Sequence, residues 1–154
     1  MSDTFGSTDE LLDFAIAKEE EANQFYTNLA TRVEKSPMRE VFERFAAEEL
    51  KHKARLEAIK HGKLLLSAEQ KVANLKIADY LVEIKPEPDE TLDYQKTLMI
   101  AMQREKASFK LYTDLAAITD NAELQETLLG LAQEEAKHKL RFEIEYDEHI
   151  LTEN

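Results

Sequence analysis

The strongest constraint on the fold is an internal repeat, because the second half of this chain of 154 residues copies the first. A shift of 86 residues places FYTNLA (25–30) on LYTDLA (111–116) and, with no gap, FAAEELKHKARLE (45–57) on LAQEEAKHKLRFE (131–143). The longer pair has eight identities in thirteen positions. Sequence repeats imply structural symmetry, so we expect two copies of one unit related by a pseudo-two-fold axis.

The composition is typical of long helices. Three glycines and three prolines are too few for an all-β protein with many turns, and the long stretches rich in Ala, Leu, Glu, Lys and Gln favour helix. We predict four helices, over about residues 8–34, 37–61, 90–119 and 121–148.

Local signals set the helix boundaries. Ser36 and Pro37 suit an N-cap followed by the first helical position. Gly62 suits the end of the second helix. Asp120, with Glu123 three residues later, resembles a capping box at the start of the last helix. The third and fourth helices are therefore expected to be joined by a very short turn.

Residues 63–89 form a long connection between the two predicted hairpins. Its part from Ser67 to Val82 is predicted to contain a short extra helix, and Pro86-Glu87-Pro88 ends it in an extended segment. The expected fold is therefore all-α, a four-helix bundle of two helical hairpins joined by one long crossover. We expect a single domain over residues 1–154.

Each long helix carries an apolar stripe at gaps of three and four residues, which is typical of a helix that faces a core. Each stripe is interrupted near its middle, by a lone Glu in the first and third helices and by a Glu-x-x-His pair in the second and fourth. A Glu and a His three residues apart are neighbours on a helix and can converge on one ion. The interrupting residues are Glu19, Glu49, His52, Glu105, Glu135 and His138, and the stripes run over Leu11–Val33, Met38–Ile59, Leu98–Tyr112 (including Met102 and Phe109) and Leu124–Phe142.

These six interruptions predict a two-metal site. Counted from the hairpin turns at ~1.5 Å per residue, the four Glu lie within about one helical turn of a common level, so all six side chains can meet in one layer. Buried carboxylates without counter-charge are strongly destabilising, and no Lys or Arg lies in register on the stripes. Two divalent cations would neutralise four glutamates. Oxygen and imidazole ligands without sulfur suit iron or manganese, and zinc would also bind.

Composition also excludes other classes of protein. The absence of cysteine removes disulfides, thiolate zinc sites, cysteine nucleophiles and iron–sulfur centres. The net charge of −12 argues against binding to nucleic acid. The start, MSDTFGSTDE, has neither a basic region nor an apolar run, and no stretch approaches the roughly 18 apolar residues that cross a bilayer. We therefore expect a cytoplasmic, soluble protein with no membrane partner.

The ligand pattern resembles that of the ferritin-like di-iron carboxylate superfamily, in which two helices supply one Glu each and the other two supply Glu-x-x-His. Within the superfamily the chain is most similar to the di-iron domain of rubrerythrins, over about residues 9–146. The matching features are Glu19 with Ala22 and Tyr26, EELKHKARL (48–56), Glu105 with Tyr112, and EEAKHKLRF (134–142).

The resemblance implies a ferritin-like bundle that holds two iron ions. Glu19 and Glu105 would be terminal ligands, Glu49 and Glu135 would bridge the metals, and His52 and His138 would bind one metal each. Tyr26 and Tyr112, seven residues after the lone Glu of their helices, are candidates for hydrogen bonding to ligand carboxylates or for electron transfer. Simple filling of the core is the alternative for both tyrosines.

The resemblance also implies an activity, the reduction of hydrogen peroxide to water with electrons from an external rubredoxin-like or similar donor protein. Many rubrerythrins carry a rubredoxin-like domain with four cysteines, which this chain does not have. A homodimer is expected from the family and from apolar residues in the crossover that one bundle does not readily cover. These are Leu64, Leu65, Leu66, Ile77 and Leu81.

One departure from the family keeps other functions open. Rubrerythrins commonly place an additional carboxylate one turn after the Glu of the third helix, where this chain has Ser108. The six-ligand set equally resembles a bacterioferritin ferroxidase centre. An oxygen-dependent ferroxidase in iron handling is therefore the first alternative function, and a non-catalytic metal-binding bundle is the second.

Overall fold

The computed structural model describes residues 3–33, 37–82 and 93–153, with side chains as far as residue 149. These ranges contain helices and turns and no β-strand, so the all-α prediction is confirmed. No helix within them combines the length and the apolar character needed to cross a bilayer. The helices are α1 (Thr8–Arg32), α2 (Pro37–His61), α3 (Glu69–Val72), α4 (Tyr94–Ile118) and α5 (Ala122–Glu153), with 3₁₀ turns at Leu66–Ala68 and Ile77–Tyr80.

The chain divides into two compact units, Met1–Leu75 and Lys76–Asn154. In the first unit, α1 packs against α2 and the short α3 lies beside α1. In the second, α4 packs against α5, and the 3₁₀ turn at Ile77–Tyr80 contacts α4. Each unit is therefore one helical hairpin with a piece of the crossover, as the sequence repeat predicts. The single domain over 1–154 stays a prediction.

Where the residue before a long helix is described, as it is for α1, α4 and α5, its polar side chain accepts a hydrogen bond from a backbone N–H group that has no partner within the helix. Ser7 caps α1 by accepting from the N–H of Glu10 at 3.0 Å. Asp93 caps α4 by accepting from the N–H of Lys96 at 3.1 Å, so this helix begins about four residues later than predicted. Pro37 begins α2 as predicted, whereas Ser36 lies outside the described residues.

The predicted cap of the last helix is wrong by one residue. Asn121, and not Asp120, accepts from the N–H of Leu124, at 2.9 Å, and the Asn121 carbonyl accepts the first helical bond, from Gln125, at 2.9 Å. Asn and Asp are about equally good N-caps, so residue preference does not separate two neighbouring candidates. Because α4 ends at Ile118 and Thr119 is extended, Asp120 lies within the turn.

The end of α2 differs from the simple expectation for a glycine. Gly62 follows His61 as predicted, but the left-handed residue is Lys63, with φ of 53°. The N–H of Leu64 donates to the carbonyl of Ile59 and the N–H of Lys63 donates to that of Lys60, both at 3.1 Å. This pair of bonds is a Schellman motif, in which glycine normally takes the left-handed position.

Lys63→Gly is expected to stabilise the protein by about 0.5–1 kcal/mol, because an L-residue is strained in the left-handed region and glycine is not. The larger entropy of glycine in the unfolded chain keeps the gain small. Urea unfolding measures the change. Lys63→Ala is the matched control, since it removes the same side chain and keeps the Cβ. A glycine variant no more stable than the alanine variant would contradict the assignment of strain.

The crossover contains helical turns in place of the single short helix predicted for Ser67 to Val82. A 3₁₀ turn leads into the four-residue α3, and the second 3₁₀ turn follows after a bend. The break coincides with the boundary between the two units, after Leu75. Val72 is buried on one side of this boundary and Tyr80 on the other, so the two turns serve different hairpins. The predicted extended segment at Pro86–Pro88 lies outside the described residues.

Each crossover turn is tied to its own hairpin by a carboxylate. Glu69 of α3 accepts from the hydroxyl of Thr8 at 2.7 Å and from its N–H at 3.3 Å, at the start of α1. In the second unit the hydroxyl of Tyr80 donates to Asp114 of α4 at 2.7 Å. Burial, together with this carboxylate, raises the pKa of the Tyr80 hydroxyl above its usual range. The phenol is thus held as a neutral donor.

The predicted apolar stripes are buried, with exceptions at two sites on α4 and at Val33 beyond the end of α1. On α4, Met102 is half-buried and Phe109 is 40% exposed. Phe109 lines an open cleft of about 650 Å³. Ala101 and Leu115 are fully buried, so the buried arc of α4 lies to one side of Glu105. At ~100° per residue, Met102 and Phe109 lie to the other side.

Candidate metal centre

In the first unit, α1 and α2 bring together three of the predicted ligands. The Nδ1 atom of His52 lies 3.3 Å from an oxygen of Glu49 and 3.6 Å from an oxygen of Glu19. One ligand atom from each of the three side chains lies within 4.8 Å of the others. Each side chain is only 1% exposed. We call this set the first triad.

The second unit contains an equivalent set on α4 and α5. The Nδ1 atom of His138 lies 3.5 Å from an oxygen of Glu105 and 3.7 Å from an oxygen of Glu135. One ligand atom from each residue again lies within 4.8 Å of the others. Exposure is 1% for Glu105, 0% for Glu135 and 3% for His138. This second triad has the residue types and the helix positions of the first, as the repeat requires.

Helix periodicity explains why these particular acidic residues are buried. Glu and His three apart lie on one face, whereas the residue before each Glu is rotated by about 100°. Glu48 and Glu134 are accordingly half-buried, while Glu49 and Glu135 are buried. The predicted stripe assignment, which chose Glu49 over Glu48 and Glu135 over Glu134, agrees with this placement.

Apolar residues flank each Glu-x-x-His pair one turn away along the same helix. Phe45 precedes Glu49 and Leu56 follows His52, and both apolar side chains are at most 4% exposed. In α5, the fully buried Leu131 and Phe142 occupy the same positions around the second pair. These side chains exclude water from the carboxylates and restrict their rotamers, because a close-packed interior leaves few alternative conformations.

The electrostatics of each triad call for a cation. Two carboxylates lie beside one imidazole in a buried site, and burying a carboxylate costs several kcal/mol unless it is compensated. A divalent ion supplies the charge that two carboxylates need. The donor set of oxygen and imidazole nitrogen fits iron, manganese or zinc. The residues present in each triad therefore fit a transition-metal ion.

The structure places both candidate tyrosines in the core. Tyr26 is 0% and Tyr112 1% exposed. The Tyr26 ring is stacked on Phe42, with centroids 6.4 Å apart, and lies edge-on to Phe45 at 6.3 Å. These contacts describe packing, which was the alternative kept open for both residues. A role for either hydroxyl in hydrogen bonding or electron transfer stays a prediction.

Sequence reasoning missed one residue beside the first triad. The side-chain amide of Asn23 on α1 donates to the backbone carbonyl of Ala46 on α2 at 2.8 Å. The only sequence signal is that Asn23 stands at the repeat position occupied by Phe109 in the second half.

Comparison with known proteins identifies the family of the chain and supports its fold. The family model of rubrerythrin matches residues 10–146 of the chain. No curated protein sequence matches it. Among solved structures, the chain is similar to a Thermotoga maritima protein assigned as a ferritin-like diiron-carboxylate protein, with a TM-score of 0.75 and 22% identity. The match covers 93% of this chain and 96% of that one. This likeness confirms the predicted ferritin-like fold.

Proposed function

The chain belongs to the rubrerythrin family, and on that premise we propose that it is a di-iron oxidoreductase that reduces hydrogen peroxide with electrons from an external donor. The observation that carries the proposal is the pair of equivalent buried triads, each with two carboxylates and one histidine. Replacing buried ionic groups by apolar residues is often neutral or stabilising, so stability alone does not account for these triads. Their repetition at a shift of 86 residues makes coincidence a poor explanation.

We propose that the two triads together supply one two-metal centre. Four carboxylates balance the charge of two divalent ions, with both histidines neutral. On the family pattern, Glu19 and Glu105 would be terminal ligands and Glu49 and Glu135 would be bridging ligands. Each metal would also be held by one histidine. Two ferrous ions would supply the two electrons that reduction of one peroxide to water requires.

The protein's own part in this reaction would be to hold the two metal ions and to shield them from bulk water. The six ligands are almost fully buried, and the apolar residues one turn above and below the Glu-x-x-His pairs keep bulk water away. Because no cysteine occurs in the sequence, a rubredoxin-type electron relay within it is excluded. We propose that the electrons come from a separate reductant, a rubredoxin-like or similar protein.

Ser108 favours the second candidate function, an oxygen-dependent ferroxidase. It lies one turn after Glu105, is half-buried and offers a hydroxyl where many rubrerythrins have a carboxylate. With six ligands and no seventh at this position, the centre is also suited to oxidising iron with dioxygen. A structural metal bundle, in which bound zinc would be inert, is the third candidate.

Single-turnover oxidation separates the three functions. Protein loaded with two ferrous ions under anaerobic conditions is mixed with equal concentrations of hydrogen peroxide or dioxygen, and iron oxidation is followed by absorbance. A peroxidase is expected to react at least about tenfold faster with peroxide. A faster reaction with dioxygen would favour the ferroxidase, and inertness toward both would favour the structural bundle. Glu49→Ala is the control that separates iron in the centre from iron bound elsewhere.

The homodimer also stays a proposal. In the crossover, Leu64 and Leu66 are 51% and 59% exposed and Leu81 is 49% exposed. Leu65 is buried, and Ile77 is half-buried. Three of the five predicted residues are therefore available to a second copy, and partial exposure of large apolar side chains is common at such interfaces.

A further inference from the structure

The two hairpins are not equivalent one turn away from the ligands. In the first unit, the Asn23 amide links α1 to the carbonyl of Ala46 on α2 at 2.8 Å. The repeat retains the acceptor position, because Ala46 corresponds to Ala132 and both are buried. It does not retain the donor. Phe109 stands in place of Asn23, has no donor group and is 40% exposed.

The hydrogen bond from Asn23 is placed so that it fixes the position of α1 along α2, and with it the relative heights of Glu19 and Glu49. Asn23 is four residues after Glu19, and Ala46 is three residues before Glu49. In an antiparallel hairpin both steps lead from the ligand level toward the connecting turn, by ~4.5–6 Å. A side chain of α1 thus holds the backbone of α2 about one turn from the first triad. Sliding of one helix along the other would break this bond.

A second difference between the two halves concerns the aromatic residues that pack against Tyr26. Tyr26 packs against the rings of Phe42 and Phe45. At the repeat positions of Phe42 and Phe45, the second half of the chain has Leu128 and Leu131. Aromatic rings are stiff and have preferred mutual orientations, whereas leucines have more rotamers. The first hairpin therefore has a side-chain hydrogen bond between its helices one turn from its triad, together with two aromatic rings beside Tyr26. The second hairpin also has hydrogen bonds between its helices, such as that from the amide of Gln125 to the carbonyl of Ala116 at 3.0 Å, but Gln125 lies ten residues from Glu135.

We propose that Asn23 is a positioning residue for Glu19 and Glu49, and that the metal ion bound by His52 is consequently held more tightly than the ion bound by His138. The proposal rests on the proposed two-metal function. Removing a group that hydrogen-bonds a metal ligand directly typically lowers metal affinity by 10–100-fold. Asn23 acts through the backbone of α2, so we expect an effect at the low end of this range. The chain thus has one tightly bound ion and one that is more easily lost, although the two triads have the same residue types at the same helix positions.

Anaerobic titration of the metal-free protein with Co²⁺ tests the proposal, because the visible absorbance of bound Co²⁺ reports coordination without any turnover. Wild-type protein is expected to bind two ions in two steps that differ in affinity by about tenfold or more. His52→Ala and His138→Ala assign each step to its triad. Asn23→Leu, which cannot donate, is expected to weaken the tight step by about tenfold. It is expected to weaken the other step by no more than about threefold, a smaller effect that reflects the proposed sharing of Glu49 by both ions.

A reciprocal variant in the second half separates a positioning effect from a general loss of stability. Phe109→Asn restores a donor opposite Ala132 and is expected to strengthen the step assigned to His138. A general loss of stability cannot produce that gain. Equal weakening of both steps by Asn23→Leu, or no effect of either variant, overturns the proposal while leaving two ions bound. Wild-type protein that binds fewer than two Co²⁺ ions overturns the proposed two-metal function, and the inference with it.

Discussion

Replacing Glu49 or Glu135 by alanine is expected to weaken the binding of both metal ions by at least about 100-fold. The reason is that each of these residues is proposed to bridge the two ions, so its loss removes a ligand from each and leaves the site with excess positive charge. His52→Ala and His138→Ala are expected to weaken mainly one ion each. Metal content after dialysis, together with peroxide consumption, measures the difference between the two classes of variant.

Glu48→Ala and Glu134→Ala are the matched controls for these variants. Both residues adjoin a bridging candidate, carry the same charge and are only half-buried. They should keep two ions and essentially full activity, since their side chains point about 100° away from the triads. If a control variant lost metal while the Glu49 or Glu135 variant kept it, the metal site would lie on the helix face of Glu48 or Glu134, and our assignment would be wrong.

Removal of the metal is expected to lower the melting temperature by more than about 10 °C. Each ion present at 1,000 times its dissociation constant contributes about 4 kcal/mol to folding stability. A change of 1 kcal/mol shifts the melting temperature by roughly 2–4 °C in a protein of this size. The metal-free form also leaves its buried carboxylates without counter-charge. Calorimetry of the metal-free and reconstituted protein measures the shift.

A charge-neutral variant tests the electrostatic part of this explanation. Glu49→Gln combined with Glu135→Gln keeps the shape of both side chains and removes two buried negative charges. Its metal-free form should melt at a higher temperature than metal-free wild type, while its gain on adding metal should be much smaller. Identical melting curves for wild type with and without metal would mean that the triad carboxylates carry no electrostatic cost.

Periodic features of the sequence predicted the fold well, because burial follows a simple geometric rule along a helix. The stripes on α2 and α5 are buried at every predicted position, including Glu49 and Glu135. The wrong predictions concern positions where more than one residue satisfies the same sequence criterion. Asn121 caps α5 although Asp120 was equally suitable by type, and Phe109 matched the spacing of the α4 stripe but lies at its exposed edge. Which residue caps the helix, or which residue of the stripe is buried, depends on how the neighbouring helix packs.

The candidate ligands could also be predicted from the sequence, because each ligand position in the first half has an identical residue at the matching position in the second half. Asn23 could not, for a physical reason. A single hydrogen bond from an amide side chain to the backbone of a neighbouring helix depends on the separation of the two helices, and no sequence period reports that distance. The left-handed conformation of Lys63 was hidden in the same way, since the glycine next to it suggested a different residue for that position.

Anomalous diffraction from crystals of the protein reconstituted with ferrous iron tests the two-metal centre most directly. The account predicts two iron peaks per chain, roughly 3.5–4 Å apart as in carboxylate-bridged two-metal sites. One peak should lie beside His52 and the other beside His138, with Glu49 and Glu135 reaching both. A single peak, or peaks on the protein surface away from these residues, would contradict it.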